Sequence, residues 1–407
     1  MYDILKTRND YLKEDLVNFT QKLIQTESIS LNEKNASKLC EKMMVELGYD
    51  KVFKDSSGNI IGIIYGRKYS PNILLNSHLD TVSPTNIDKW DFNPNSGIIN
   101  NDKIYGLGAS DCKSGVAAQI FIGALFKKSL LPLDGNLIVA ISVAEENGLS
   151  IGVKTLFNET LPRLNLIPDY VILGEPTDLN IYYGHDGWVQ FDVLVDGNNY
   201  NEVKKTADNI YNNFNTSNDR KLPFYAENIQ VNSPVFNKAS KSSSATINLS
   251  QRLTTFENYS ELITQINQNT SLLRKSENVA VKVKIHEEKQ HLYTGINTII
   301  KYISNAWETD PFSKLIERAG QALDAAGLKS EKGKWKLKRL GMGTAGSVIS
   351  KEFKIPVIGY GPGNEKYAHE INECVEIENI TKCVYGTSSI VHSLIGVPVF
   401  GWTSDEI

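Results

Sequence analysis

The sequence of 407 residues has few of the features that mark a secreted, membrane-spanning or nucleic-acid-binding protein. Its four cysteines form no CxxC pair, so we predict reduced thiols in a cytoplasmic protein rather than a disulfide framework. The longest apolar run, residues 137–144, is far shorter than the ~20 residues that cross a bilayer. The start, MYDILKTRNDYLKEDL, mixes charges too evenly for a signal peptide. A net charge of -4 gives no reason to expect nucleic acid or anionic membrane as a partner.

The length and the order of secondary-structure patterns predict two domains. Short apolar strands alternate with helices in residues 1–183 and again after residue 290, which indicates an α/β domain with a mostly parallel, buried sheet. Residues 184–289 instead show the β-α-β-β-α-β order of a ferredoxin-like module. We therefore predict a discontinuous metal-binding domain, residues 1–183 and 290–407, with a second domain inserted at residues 184–289.

Side chains that can bind metal ions follow the predicted strands of the first domain or, in one case, open a helix. Ligands of open α/β sheets bind beyond the carboxyl ends of the strands, so we expect these groups to converge on one crevice. The side chains are those of His78, Asp80, Asp111, Glu145, Glu146, Glu175 and His369.

Each of these residues also has an ordinary structural explanation. Asp111 could cap its helix, Glu175 could end its strand, and His369 could belong to a glycine-rich loop. Adjacent glutamates are common on solvated surfaces, but Glu145 and Glu146 directly follow the longest apolar run. A charge placed there is costly unless it meets a cation. The occurrence of the whole set at strand ends favours the metal hypothesis.

A set of imidazole and carboxylate groups without cysteine suits two divalent ions, with zinc first and cobalt or manganese as alternatives. Two ions roughly 3.5–4 Å apart need one bridging carboxylate and one or two further ligands each. Of Glu145 and Glu146, one can bind metal while the other stays free as general base. Asp80, two residues beyond His78, is placed to accept the second imidazole N–H.

The segments SHLDTV, GLGASDCKSG, AEEN, GEPT and GYGPG with AHE resemble one metallopeptidase family in their order and spacing. That family includes acetylornithine deacetylase, succinyl-diaminopimelate desuccinylase, glutamate carboxypeptidase and the aminoacylases. The YTG segment at Tyr293, GKWKLKRLGMGTAG and AHEINECVEIENI look most like its branch of selenium-metabolism-linked hydrolases. The resemblance implies hydrolysis of an amide-type bond in a small carboxylate-bearing substrate, an N-acyl amino acid or a dipeptide.

The resemblance also implies roles for the individual residues. Asp111 would bridge the two ions, Glu145 would be the general base, and Asp80 would orient His78. The peptide bond between Asp111 and Cys112 is often cis in such enzymes. The inserted domain would serve as lid and dimerisation surface, so a homodimer is expected. The remaining ligands would be His78 and Glu175 for one ion, and Glu146 and His369 for the other.

The sequence departs from the family pattern in the second domain. Relatives carry a lid histidine that stabilises the oxyanion, whereas the corresponding run VDGNNYNEVKKTADNIYNNF contains none. The usual Asp-x-Arg reads Ser250-Gln251-Arg252, and a basic residue of the GxRG segment is replaced by Asp186. Since one oxyanion donor contributes about 10²–10³ in rate, two hypotheses remain open. The protein is a hydrolase that uses another group there, or a metal-binding relative with impaired catalysis that acts in binding or regulation.

Substrate contacts are predicted less directly. Arg252, Gly343 and Thr344 are candidates for binding the substrate carboxylate, although Gly343 and Thr344 could simply form a turn. His185 is a candidate for the missing lid histidine or an ordinary surface-loop residue.

The other histidines are weaker candidates. His286 and His291 lie near the end of the second domain, and His392 is predicted to be structural. A two-metal phosphoesterase would need clustered basic side chains around the ligands. Only Lys113 and Lys366 lie near ligand residues in the sequence, so that alternative is weaker.

Overall fold

The computed structural model describes residues 1–146, 149–215, 229–238, 242–255, 257–335 and 343–398. Within these ranges we number helices and strands in chain order. The helices are α1 (Tyr2–Gln25), α2 (Lys34–Glu46), α3 (Ser114–Ser129), α4 (Ile151–Thr155), α5 (Leu161–Leu164), α6 (Tyr200–Asn215), α7 (Tyr259–Leu272), α8 (Lys314–Ala325), α9 (Gly346–Glu352) and α10 (Ile377–Ile395).

The strands contribute to two main sheets and three small ones. They are β1 (Lys51–Lys54), β2 (Ile60–Ile64), β3 (Asn72–His78), β4 (Ile98–Asn100), β5 (Lys103–Tyr105), β6 (Asn136–Ser142), β7 (Tyr170–Leu173), β8 (Ile181–Tyr182), β9 (Gly184–His185), β10 (Gly187–Gly197), β11 (Ile229–Val231), β12 (Val235–Lys238), β13 (Ser243–Leu253), β14 (Val279–Ile285), β15 (Glu287–His291), β16 (Asn297–Lys301), β17 (Ile303–Ser304), β18 (Trp307–Glu308), β19 (Lys332–Gly333), β20 (Val357–Gly359) and β21 (Cys374–Glu376).

The larger sheet has the strand order β1-β2-β6-β3-β7-β20-β8-β19. Its four central strands, β6-β3-β7-β20, are parallel, as the sequence predicts. Alternate residues of β6 enter two different hydrophobic cores: Val139 and Ile141 pack with α1, α3 and α10, while Ile138 and Ala140 pack with α5 and α9. Because both faces are covered, β2, β3 and β6 are buried along their whole length.

Helix α3 lies in the middle of the first core. Every residue from Ser114 to Phe126 is buried, since the helix packs between the sheet and the helices α1 and α10. A helix that is apolar all round belongs in such an interior position. It begins at Ser114, three residues after Asp111, so a buried helix supports the segment that carries one of the predicted metal ligands.

The second main sheet is antiparallel, with the order β11-β13-β10-β14. The chain runs β10, α6, β11, β13, α7, β14, which confirms the predicted ferredoxin-like plan. Along β13 buried and half-buried residues alternate strictly, because α6 and α7 cover only one face. The short strands β12 and β17 extend the sheet beside β13 and β10. Since β17 lies beyond residue 290, the sheet continues past the predicted segment 184–289, and the domain boundaries stay a prediction.

The hairpin β15–β16 connects the second sheet to the first domain through Tyr293 at its turn. The Tyr293 hydroxyl donates a hydrogen bond of 2.8 Å to the backbone carbonyl of Gly58, just before β2. A Cβ atom on Gly58 would overlap the Tyr293 ring, and Gly58 has a φ of +103°. Only glycine therefore fits this contact between the domains.

Two further findings concern the cysteines and the described helices. All four cysteines are buried as free thiols. Among the described helices, none has the length and apolar character required to cross a membrane.

We expect Tyr293→Phe to lower the free energy of unfolding by about 0.5–1.5 kcal/mol, because the buried Gly58 carbonyl loses its hydrogen-bond donor. Urea unfolding followed by circular dichroism measures the change. Tyr302→Phe is the matched control, since the Tyr302 hydroxyl donates to the exposed Glu288. An equal change in the free energy of unfolding for the two substitutions would show that the hydrogen bond to Gly58 adds no more stability than an exposed one.

Candidate active site

The carboxyl ends of the parallel strands meet at one edge of the larger sheet, and the predicted metal ligands lie there. His78 is the last residue of β3, and Glu175 comes shortly after β7. Glu145 follows β6, and His369 lies in the loop after β20. Asp111 reaches the same place from the segment before α3. Parallel neighbouring strands thus bring side chains that are distant in sequence into one crevice.

The first group of candidate ligands contains His78, Asp111 and Glu175. The His78 Nε2 atom lies 3.0 Å from Asp111 Oδ1 and 3.7 Å from Glu175 Oε2. The Cys112 thiol also lies within the 4.8 Å that joins this group. Its Sγ donates to the carbonyl of His78 at 3.3 Å, and burial raises the pKa of the thiol. The Asp111–Cys112 peptide bond is cis.

The second group contains Asp111 again, together with Glu146 and His369. The His369 Nε2 atom lies 2.9 Å from Glu146 Oε2 and 3.5 Å from Asp111 Oδ2. The two carboxylate oxygens of Asp111 therefore face different imidazoles. A carboxylate that bridges two cations needs this arrangement.

The charge of this cluster indicates that it is built for cations. Burial raises the pKa of Glu145 well above its ordinary value and that of Glu175 to about 8, where neighbouring carboxylates add to the shift and His78 opposes it. Burial lowers the pKa of His369, but Glu146 and Asp111 outweigh it and raise the pKa to about 9. Among the described residues of the cluster, buried carboxylates outnumber the imidazoles, so divalent cations would supply positive charge to balance them. The donor set fits two such ions.

Glu145 lies beside the ligand groups without belonging to either group found among the described residues. Its side chain is 5% exposed, and its Oε1 atom accepts a hydrogen bond of 3.1 Å from the Ser150 hydroxyl. A buried carboxylate that is held by a hydroxyl and excluded from the ligand sets is suited to move a proton.

Asp80 holds the loop that carries Glu145 rather than the ring of His78. Its carboxylate accepts the backbone N–H groups of Glu145 and Glu146 at 2.9 Å each, and the Ser30 hydroxyl at 2.7 Å. The Nδ1 atom of His78 lies 2.9 Å from the backbone carbonyl of Asp80 but 3.7 Å from its carboxylate. The shorter contact of the His78 ring with Asp80 is thus made by the backbone carbonyl and not by the carboxylate.

Two buried glutamates beside the site were not predicted from the sequence. Glu33 accepts the backbone N–H of Ala144 at 3.0 Å, just before Glu145. Glu373 accepts backbone N–H groups of the segment that contains Asp111. Burial raises the pKa of both side chains to about 8. Glu33 gives no signal in the sequence, whereas Glu373 stands in the segment AHEINECV directly after His369.

His185 is buried, with 1% of its surface exposed, so the alternative of a surface-loop residue is wrong. Its Nδ1 atom lies 2.7 Å from the Asp186 carbonyl, and its Nε2 atom accepts the Thr344 backbone N–H at 2.9 Å. Burial lowers the pKa of His185 to about 4, which keeps the ring neutral. A Cβ on Gly343 would lie 3.7 Å from the His185 ring, so these three predicted substrate contacts lie together. Arg252 lies on β13, where it pairs with Trp188 of β10.

The other predicted basic residues contribute no phosphate-binding cluster. The buried Lys113 ammonium donates to the Thr26 carbonyl at 2.8 Å, and Lys366 is exposed. His286 Nδ1 lies 2.8 Å from an Asp192 carboxylate oxygen on the second sheet, His291 is exposed, and His392 is buried. The phosphoesterase alternative gains no support from these positions.

Comparison with known proteins identifies the family of this chain. Residues 74–393 match the family model of Peptidase family M20/M25/M40, and the chain belongs to this family. It is 26% identical over 400 residues to the uncharacterized protein YgeY of Escherichia coli K12, covering 93% of this chain and 94% of YgeY. It is also 26% identical over 396 residues to succinyl-diaminopimelate desuccinylase of Wolbachia pipientis, covering 91% of each. The structure of the di-peptidase Dug1p from Saccharomyces cerevisiae aligns with a TM-score of 0.71 and 14% identity, covering 96% of this chain and 98% of Dug1p.

Asp111→Ala should empty both metal positions, because Asp111 belongs to both groups of ligands and each group loses one of its carboxylate oxygens. Elemental analysis of the purified variant measures the metal content per chain. Asp88→Ala, at an exposed position, is the control and should keep the wild-type content. Two retained ions in Asp111→Ala would contradict the bridging role.

Proposed function

We propose that the protein is a two-metal hydrolase that cleaves an amide-type bond in a small substrate bearing a carboxylate, either an N-acyl amino acid or a dipeptide. The observation that carries this proposal is the geometry of Asp111, whose two oxygens face His78 and His369. Glu145 lies beside them and belongs to neither ligand group found among the described residues. Relatives that are named as a desuccinylase and a di-peptidase support the same class of reaction.

The proposed roles follow from the two groups of ligands. When bound, the ions would polarise the scissile carbonyl and lower the pKa of the attacking water. Glu145 accepts the proton of that water and delivers it to the leaving nitrogen. The Ser150 hydroxyl and the amide contacts to Asp80 hold Glu145 in place for both steps. The ligands would be His78, Asp111 and Glu175 for one ion, and Asp111, Glu146 and His369 for the other.

Further properties are part of the same proposal. Zinc is the preferred ion because the donors are imidazole and carboxylate groups, and cobalt or manganese are alternatives. We propose a cytoplasmic enzyme that assembles as a homodimer through its second domain. Arg252, Gly343 and Thr344 are the proposed contacts of the substrate carboxylate, and the division at residues 184–289 is the proposed domain boundary.

One observation favours the second candidate function, a metal-binding relative with impaired catalysis. Both ring nitrogens of His185 have partners, the Asp186 carbonyl and Thr344, so His185 is not free to donate to a substrate oxyanion. It does not replace the lid histidine in this conformation. In this second function the metal centre would serve in binding or regulation.

Glu145→Gln should reduce kcat by about 10²–10⁴ and leave both ions bound, because an amide cannot accept the proton. The assay uses a panel of N-acyl amino acids and dipeptides, with metal content measured on the same sample. Glu46→Gln, an exposed substitution on α2, is the control. Near-normal turnover of Glu145→Gln would refute the general-base assignment.

Removal of the metals separates the two candidate functions. Chelator treatment of the wild-type protein should abolish hydrolysis, and addition of zinc, cobalt or manganese should restore it, since the proposed chemistry needs both ions. Activity and bound metal are measured together through the titration. Two bound ions without turnover of any substrate in the panel would support the binding or regulatory function instead.

A further inference from the structure

Glu373 is a buried carboxylate next to the metal-ligand groups, and the proposed mechanism does not use it. It accepts hydrogen bonds from three backbone amides. It is 0% exposed. Its Oε2 atom accepts the backbone N–H of Gly108 at 2.9 Å. Its Oε1 atom accepts the N–H groups of Ser110 and Asp111, each at 2.8 Å. One side chain thus accepts hydrogen bonds from three backbone amides of the segment that carries Asp111, the candidate ligand shared by both groups.

These amides need a partner because the segment is not regular. Asp111 and Cys112 have non-helical backbone angles, and α3 begins only at Ser114. The amides that precede a helix have no carbonyl one turn earlier to bind. Water does not reach them, since Ser110 and Asp111 are buried. A buried amide without an acceptor is costly, so the Glu373 carboxylate defines where this segment can lie.

Glu373 also joins this segment to the one that carries His369. It lies four residues beyond His369, directly before β21. Around it the Ser110 hydroxyl donates to the Cys374 carbonyl at 2.8 Å, and the Gly106 amide donates to the Glu373 carbonyl at 2.9 Å. The same short stretch therefore sets the distance between the shared ligand and the imidazole of the second group.

Glutamine is the substitution that tests the two acceptor oxygens of Glu373. A glutamine at position 373 would keep the size but offer only one carbonyl oxygen. Its NH₂ group would face a backbone N–H, so two donors would meet on one side of the segment.

We infer that Glu373 is a positioning residue of the metal centre, whose carboxylate holds the segment of Asp111 against the segment of His369 at the separation that two ions require. The inference rests on the proposed two-metal function. Partners of this kind typically change metal affinity or activity by 10–100-fold when they are replaced. A displacement of about 1 Å of a reacting group has consequences of similar size.

The test compares the full-length wild-type protein with Glu373→Gln and with Glu376→Gln. Glu376 is the matched control because it lies three residues further along the chain, is exposed and pairs only loosely with Lys103, at 3.6 Å. Each protein is stripped with chelator and titrated with Zn²⁺ or Co²⁺ against a chromogenic competitor, well below the unfolding temperature of its metal-free form. The Co²⁺ absorption spectrum reports ligand geometry, which a loss of stability alone would not alter.

We expect Glu373→Gln to bind the ions about 10–100-fold more weakly and to change the Co²⁺ spectrum, whereas Glu376→Gln should match the wild type. Wild-type affinity and spectrum in Glu373→Gln would overturn the inference. If that variant does not fold, Glu373→Asp decides, since its shorter side chain keeps the charge but cannot reach all three amides. An affinity loss of at least about tenfold then supports the inference, and wild-type affinity overturns it.

Failure of the inference is distinguishable from failure of the proposed function. A wild-type protein that binds fewer than two ions refutes the two-metal proposal, whatever Glu373 does. A wild-type protein that binds two ions and hydrolyses a substrate, together with an unchanged Glu373→Gln, refutes only the role of Glu373.

Discussion

The concentration of buried negative charge at the carboxyl edge of the larger sheet is the constraint on which the rest of this structure depends. Among the described residues, Asp111, Glu145, Glu146 and Glu175 lie together, with two imidazoles to offset their charge. Such a cluster is unfavourable in a protein interior unless cations or protons neutralise it. The same repulsion that makes the cluster costly without cations would make it bind divalent ions tightly.

A second set of carboxylates, outside the two candidate ligand groups, holds the segments that carry the ligands. Asp80 receives the amides of Glu145 and Glu146, Glu33 receives that of Ala144, and Glu373 receives three amides around Asp111. Parallel strands bring each ligand segment to the crevice, but a strand end alone leaves its loop several possible conformations. Hydrogen bonds from loop amides to buried carboxylates select one of them, because an unpaired amide in the interior is costly. The packed core and the polar centre are therefore built by different interactions.

His185, the candidate histidine at the start of the second domain, is buried and forms a contact within the protein. His185 packs edge-to-face against Trp307 and holds the Gly343–Thr344 segment. The neutral ring accepts a backbone amide, and it gives that segment a defined position beside the second sheet. Tyr293 makes the corresponding connection on the other side, from the hairpin to Gly58. Both contacts set how the two domains meet.

The sequence by itself determined the α/β plan, the ferredoxin-like module and the set of side chains around Asp111, because these depend on local periodicity and on the rule that ligands follow parallel strands. Only the tertiary structure decided that the Asp80 carboxylate binds loop amides, that His185 is buried, and that Glu33 and Glu373 belong to the site. Those facts depend on which backbone amides lack a partner once the chain is packed. Their partners stand up to 265 residues apart, as Gly108 and Glu373 do, and no local pattern records such a pairing.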